Sequence, residues 1–483
     1  MSAQNLTLLT DLYELTMMQG YFETQENQTV VFDVFFRDNP NKGGYSVMAG
    51  LDQVIDYIKN LNFSYEDVDY LRGLGLFSED FLHYLSGFHF SGDIYAIPEG
   101  SVIFPREPLL KVVAPIMEAQ LVETAILTIL NHQCLIATKA SRVVYAAQGD
   151  GIMEFGLRRA QGPDAGLYGA RAAVIGGCVG TSNVLAGEMF DVPVMGTHAH
   201  SWIMTFKDEY TAFKEYARLY PDACTLLVDT YDTLKSGVPN AIRVFTEMRE
   251  AGIKPKSYGI RLDSGDLAYL SKKARKMLDD AGFQDAVIAA SNDLDEFLIH
   301  DLKMQGAAIS SWGVGTNLIT SKDCPSFGGV YKLAAIQNAE GEFQPKIKIS
   351  ENIEKITNPG NKTIYRIYDK ETGMLRADLI CFADETFNTG EDLLLFDPND
   401  ATWKKTLLPG GTYTMRELLV PIFQHGECKY ESPSVKEIAE FCRQEKKTLW
   451  DETKRLFNPH KVYVDLSQKL YDTKTKLLNE AHH

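Results

Sequence analysis

The stretch GIMEFGLRRAQGPDAGLYGARAAVIGG, residues 151–177, carries one full unit of a repeating plan. A short apolar run ends in Phe155, Arg158 and Arg159, a Gln-Gly-Pro-Asp turn follows, and small apolar residues then run on to a glycine pair. A strand-like run closed by turn residues and followed by a helical stretch predicts a parallel strand with its crossover helix. The rhythm recurs in PVMGTHAHS (193–201), TLLVDTYDT (225–233), SYGIRLDSGD (257–266), AVIAASNDL (286–294), AAISSWGVGTN (307–317) and VYKLAAI (330–336). Nearly every strand ends in polar or glycine residues fit for a site. That pattern predicts an α/β fold with a closed or distorted β/α barrel, because an open doubly wound sheet gathers its ligand residues at one switch point. The barrel is expected over residues 136–340.

Outward from the barrel, residues 1–135 mix a short amphipathic helix, LTDLYELTMMQGY, with strand-like VVFDVFFR, GDIYAIPEG and PLLKVVAP, and predict an α+β domain. A long buried helix, EAQLVETAILTILNHQCLIATKASRVVYAAQ, leads into the barrel. Beyond residue 340, KTIYRIYD and LRADLICFAD return to strand character, and residues 341–483 are expected to complete the N-terminal sheet and end in a helical region. There Ser434 and Glu437 form a capping-box pattern, opening a helix predicted to run toward Asn458-Pro459. The closing Ala-His-His reads as the start of an affinity tag.

With 483 residues, 45% of them hydrophobic, the chain has ample material for large cores, and its formal net charge of -17 repels polyanions. Nucleic acid and anionic membranes are therefore excluded as partners, and an anionic substrate requires local arginines. The N-terminus has no basic segment ahead of its apolar residues, and no uncharged apolar run is long enough to span a bilayer, so a cytoplasmic location is expected. The seven cysteines are scattered and never spaced CxxC, which predicts reduced, structural thiols.

Four motifs carry chemistry. Phe155 and Arg158 offer a stacking face and a planar guanidinium, a pair suited to a substrate that is both an aromatic ring and a carboxylate. Arg261 and Asp263 lie two apart, hence on one side of a strand, with Ser264 and Asp266 in the turn beyond. Their carboxylates suit ribose hydroxyls or Mg²⁺ and also suit capping the next helix, and both roles can hold together. In SWGVGTNLIT, and likewise in SNDLDE, small and hydroxyl residues follow a strand; Gly313, Gly315 and Thr316 can present backbone N–H groups to a phosphate. Finally, GTHAHSW sets His198 and His200 on one face if its strand is regular. An HxH pair at a barrel strand also suits a metallohydrolase, but such a site needs further ligands. Between residues 151 and 336 only His300 remains, on a predicted helix, so no protein side chain is assigned to a metal.

These motifs, with LLTDLYELTM, VFDVFFRDNP, IGGCVGTSNVLAG and RLFNPHKVYVDLS, closely resemble the nicotinate phosphoribosyltransferase family over almost the full chain. The resemblance implies an irregular barrel joined to a β-rich domain built from both chain ends, and a homodimer with shared active sites. It implies that nicotinate and phosphoribosyl pyrophosphate give nicotinate mononucleotide and pyrophosphate in NAD biosynthesis, with Mg²⁺, and with ATP spent through transient phosphorylation of His200. Carried over by motif, His198 neighbours that site, Phe155 and the partner's Tyr13 sandwich the pyridine ring, and Arg158 and Arg261 serve the carboxylate and the phosphates. Asp263 and Ser264 fall near the ribose, and Gly313, Gly315 and Thr316 near the 5′-phosphate. The related nicotinamide phosphoribosyltransferase carries an aspartate in the loop matching GTSNVLAG. Here Thr181, Ser182 and Asn183 stand instead, and neutral donors favour the acid, which an aspartate would repel. The remaining alternative is a barrel without catalysis, against which the retained histidine, arginines and acidic turn argue. TLLVDTYDT lacks the paired acids and glycine-rich loop of the common phosphoribosyltransferase fold.

Overall fold

The computed structural model describes residues 5–352, 355–398 and 404–480. Ala481–His483, where the tag remnant was expected, lie outside them. The chain divides into two compact units. One takes the chain up to Leu135, Ser326–Pro433 and everything from Glu440 on; the other takes Ile136–Pro325 with Ser434–Ala439.

The second unit holds the site. Its six strands run in the spatial order Gly180–Thr181, Gly151–Glu154, Ser311–Val314, Val287–Ala290, Ser257–Leu262 and Ala223–Leu227. Every pairing is parallel. The sheet curls into an irregular β/α barrel, with helices Pro163–Gly176, Glu209–Leu219, Val238–Glu250, Leu267–Asp280 and Glu296–Met304 as crossovers. Aspartates start three of these helices: Asp208, Asp266 and Asp295 accept backbone N–H groups of the first turn. A buried ionic cluster fastens the flank, where Lys139 bridges Glu296 and Asp323 at 2.6 and 2.7 Å, and Arg142 reaches Glu296 at 2.9 Å.

Two expected strands differ. PVMGTHAHS forms no regular strand: Val194 makes one parallel bridge to Thr181, and the segment then leaves the ladder. In that bridge Thr181 N–H donates to the Pro193 carbonyl at 3.0 Å and Met195 N–H to the Thr181 carbonyl at 2.9 Å, while Pro193 has no N–H with which to extend the ladder. A side chain replaces the missing ladder on the far edge, where Leu227 N–H donates to His198 Nε2 at 3.3 Å. VYKLAAI is the second difference. It belongs to strand Gly329–Gln337, which pairs antiparallel with Thr29–Phe36, so the barrel unit ends at Pro325 rather than at residue 340.

The other unit is built on two large sheets and a two-stranded one of Ser46–Val47 with Val102–Ile103. The seven-stranded one runs Phe343–Pro345, Gly329–Gln337, Thr29–Phe36, Leu110–Pro115, Asp93–Ala96, Val420–Gln424, Glu427–Cys428. Lys362–Asp369 and Leu375–Phe382 do not complete it; they pair in a separate six-stranded sheet with Tyr413–Glu417, Tyr463–Leu466, Leu393–Phe396 and Lys405–Leu408. Both chain ends do contribute to this unit, which buries Phe36, Phe81, Leu110, Tyr331, Ile364 and Leu466 in one core. Ser434 and Glu437 form the capping box, but the helix Val435–Lys447 stops well short of Pro459. No helix among the described residues is long and apolar enough to cross a membrane.

Candidate active site

The strand ends of the barrel bring the chemistry together. Parallel register sets Leu227 beside Arg261, and Val228 N–H continues the ladder to the Arg261 carbonyl at 3.2 Å, so the residues after the two strands meet. Asp229 Oδ2 accepts the Asp263 N–H at 2.7 Å and the Ser264 hydroxyl at 2.8 Å. Asp229 Oδ1 is buried and has no hydrogen-bond partner among the described residues.

His200 opens the helix His200–Thr205, with its side chain 40% exposed. Its Nδ1 lies 3.0 Å from Thr230 Oγ1, while Nε2 faces Asp263 Oδ2 at 3.7 Å and Asp229 Oδ1 at 3.9 Å. One nitrogen is thus held by a hydroxyl, and the other points between two carboxylates. His198 does not share that face. It is buried against Tyr216, with ring centroids 4.6 Å apart, and closes the sheet edge. Burial pulls its pKa down to about 4, and the charges of Arg261 and His200 act in the same direction.

Arg261 is engaged on three sides: Nε donates to Ser291 Oγ at 2.8 Å, Nη1 to Thr197 Oγ1 at 2.9 Å and Nη2 to Asp263 Oδ1 at 2.9 Å. Ser291 also donates to Asp263 Oδ1, which fixes the carboxylate. The next two residues, Asn292 and Asp293, both have positive φ, at 93° and 30°. Non-glycine residues adopt this region at a cost on the order of 1–3 kcal/mol each, and such strain gathers at functional turns. Asn317 holds the turn by donating to the Asp293 and Leu294 carbonyls at 2.8 and 3.1 Å.

Across the sheet, Phe155 follows strand Gly151–Glu154 and donates its N–H to the Val314 carbonyl at 2.8 Å. A Cβ on Gly313 would stand 2.5 Å from the Phe155 ring. The missing side chain of Gly313 makes room for the aromatic shelf, a packing role beside the phosphate contact expected of it. Gly315 lies under the Phe155 carbonyl, and Thr316 opens the short helix Thr316–Ile319. Arg158 sits in the single turn Leu157–Arg159, exposed and without an ion-pair or hydrogen-bond partner among the described residues. Thr181 is fully buried and donates to Glu154 Oε2 at 2.6 Å, which leaves Ser182 as the half-buried member of that loop. Asn183 caps helix Val184–Phe190 through the Ala186 N–H at 3.2 Å.

In the other unit, Tyr13 lies in the first turn of helix Leu12–Thr24 and is 47% exposed. Partial burial, with Glu123, Glu14 and Asp11 nearby, pushes its hydroxyl up to about 12, so the phenol stays neutral.

Asp229, Thr230, Ser291, Thr197 and Glu154 are the residues that sequence reasoning missed. Asp229 had one signal, an acid directly after the apolar run in TLLVDTYDT. No group of three or more His, Cys, Asp or Glu side chains among the described residues is placed to hold a metal ion by itself.

A barrel whose strand ends assemble an imidazole between two carboxylates, a tethered arginine and an aromatic shelf is a β/α-barrel enzyme with its site at the C-terminal edge of the sheet. Three models described as the N-terminal domain, the family and the C-terminal domain of nicotinate phosphoribosyltransferase match residues 8–131, 151–376 and 361–474. The nicotinate phosphoribosyltransferase of Bacillus subtilis is 46% identical over 478 residues, covering 99% of this chain and 96% of that protein. That of Dictyostelium discoideum is 36% identical, with 96% and 87% covered. The solved structure of human nicotinic acid phosphoribosyltransferase is 28% identical and superposes with a TM-score of 0.84 over 97% of this chain and 99% of that one. The chain belongs to the nicotinate phosphoribosyltransferase family.

Proposed function

We propose that this chain joins nicotinate to phosphoribosyl pyrophosphate, forming nicotinate mononucleotide and pyrophosphate in NAD biosynthesis, and spends ATP through transient phosphorylation of His200. The observation that carries the ATP step is the posture of the imidazole. Its ring is oriented by Thr230, and Nε2 is turned toward the Asp229–Asp263 pair beyond the ends of strands Ala223–Leu227 and Ser257–Leu262.

The pyridine nitrogen attacks C1 of the ribose while the C1–oxygen bond to pyrophosphate breaks, and the bonding electrons leave with the phosphate oxygen. The transition state has oxocarbenium character, so the protein's work is to position two reactants and balance charge. Phe155 presents one face to the pyridine ring, and Tyr13 of the partner subunit the other. Arg158 takes the nicotinate carboxylate, since it follows the Phe155 shelf and is exposed with no ion-pair or hydrogen-bond partner among the described residues. Arg261 then faces phosphate, with Asp263 and Ser264 at the ribose hydroxyls and Gly315 and Thr316 toward the 5′-phosphate. Ser182, rather than buried Thr181, is the neutral donor facing the acid.

Mg²⁺ fits the hard oxygen donors of Asp229 and Asp263, one of which is buried without a partner. A magnesium ion is commonly held by one or two carboxylates plus substrate phosphates, and it would neutralise the departing pyrophosphate there. A homodimer has physical support in the apolar surface of the barrel unit. Val179, Val184, Leu185, Met189, Val194 and Met195 are all exposed around the edge strand and its helix, and Val184 is 72% exposed. Such contiguous apolar surface marks an interaction site. A cytoplasmic location agrees with the reduced cysteines of the chain.

The deciding assay is product formation by the purified protein with nicotinate, nicotinamide, phosphoribosyl pyrophosphate, Mg²⁺ and ATP. Nicotinate mononucleotide that rises with ATP is expected; preferential use of nicotinamide, or no transfer, would overturn the reading.

A further inference from the structure

Glu154 closes strand Gly151–Glu154, and its side chain is fully buried. No cation pairs with it among the described residues, so its two oxygens must be satisfied by hydrogen bonds alone. Oε1 accepts the Gly156 N–H, and Oε2 accepts the Thr181 hydroxyl at 2.6 Å. Burial pushes the carboxyl above its ordinary range, while the two donors act against that.

The donors belong to different loops. Gly156 follows Phe155 and opens the turn bearing Arg158. Thr181 begins the loop with Ser182, and its Oγ1 accepts the Asn183 N–H at 3.0 Å. The Glu154 carbonyl adds a third link by accepting the Ser182 N–H at 3.0 Å. Gly156 permits the close approach, because a Cβ there would collide with Ile319 and stand 2.9 Å from Glu154 Oε1. An apolar residue would fill this core position as well. A carboxylate, with two acceptor oxygens, can take the Gly156 N–H and the Thr181 proton together and so join both loops.

We propose that Glu154 is a positioning residue that locks the Phe155–Arg158 turn to the Thr181–Asn183 loop, and thereby sets the preference of the site for a pyridine acid over its amide. The inference rests on the nicotinate reading above. A glutamine at 154 keeps the shape and can keep the Gly156 bond, but it turns a donor toward Thr181 and leaves the threonine proton without its acceptor. Thr181→Val removes the same link from the other side.

The test compares Glu154→Gln, Thr181→Val and the double variant with the unaltered protein, measuring KM and kcat for nicotinate, nicotinamide and phosphoribosyl pyrophosphate alongside Tm. Each single variant is expected to raise KM for nicotinate about ten-fold, the scale of one hydrogen bond to a charged group. Each is also expected to narrow the nicotinate-to-nicotinamide ratio, with KM for phosphoribosyl pyrophosphate within about two-fold, and the double variant to be no worse than the singles, because they break one link. Unchanged nicotinate KM and ratio in both single variants overturns the proposal. So does a parallel decline for all three substrates in step with Tm, the mark of a merely structural role. If Glu154→Gln fails to fold, Thr181→Val decides alone. Absence of nicotinate turnover in the unaltered protein would instead sink the parent reading.

Discussion

His200 takes its chemical character from what its two nitrogens face, and a nearby histidine shows the contrast. His198, two residues earlier, spends Nε2 on the Leu227 N–H and packs against Tyr216. Its pKa falls from the ordinary 6.5 to about 4. Between those values the unfolded chain binds a proton that the folded one refuses, so this contribution to stability is intact above pH 6.5 and lost as pH falls toward 4. At pH 5 the loss is about 2 kcal/mol. His198→Gln keeps an acceptor for Leu227 without titrating. Urea unfolding at pH 7 and pH 5 should show a smaller drop for the variant, and equal drops would show that this imidazole is not the buried, neutral group described. Thr230→Val removes the hydroxyl at His200 Nδ1 and should cut the ATP stimulation of product formation about ten-fold, with ATP-independent transfer spared. At this scale His200, Asp263, Arg261 and Phe155 were legible in the sequence because each ends a strand-like run. Asp229 and Thr230 were not, since only the register of Ala223–Leu227 on Ser257–Leu262 brings Asp229 under the Asp263 amide.

At the scale of elements, the alternation that starts at residue 151 correctly foretold the parallel strands at 151, 223, 257, 287 and 311, because short apolar runs bounded by turn residues are strong local signals. Gly180–Thr181 was missed: two residues are too few to show a period. PVMGTHAHS was over-read because proline and glycine interrupt its ladder, and VYKLAAI because a strand's own sequence does not say which sheet receives it. The paired elements at 151–156 and 311–316 carry a prediction. Gly313→Ala drives a methyl group into the Phe155 ring, so the shelf must tilt, and KM for nicotinate should rise about ten-fold or more, with little change for phosphoribosyl pyrophosphate. The loop after Gly180–Thr181 carries another. Ser182→Asp places a negative charge in the loop proposed to face the nicotinate carboxylate and should shift the acid-to-amide preference by at least about ten-fold toward nicotinamide. An unchanged ratio in competition assays would remove Ser182 from the recognition surface.

For the whole molecule, the sequence indicated a barrel flanked by a domain made from both chain ends, and it misjudged how the C-terminal half is shared. Residues 329–337 and 420–424 join the first sheet, while 362–382 help build a second one; long-range antiparallel pairing leaves little trace in a local pattern. The exposed apolar band from Val179 to Met195 was likewise invisible until Val194 folded back onto the helix at Gly187. Val184→Asp puts a charge into that band and should convert the proposed dimer to monomers in sedimentation, with loss of turnover because Tyr13 of the partner subunit is proposed to complete the site. A monomeric unaltered protein with full activity would refute the shared site. The proposed ATP coupling turns on a covalent step at His200. Incubation with ATP and Mg²⁺ followed by peptide mapping should find one acid-labile phosphoryl group on His200, absent in His200→Ala, which should keep ATP-independent transfer but lose its stimulation by ATP. Full ATP coupling in His200→Ala, or a phosphoryl group on another residue, would contradict it.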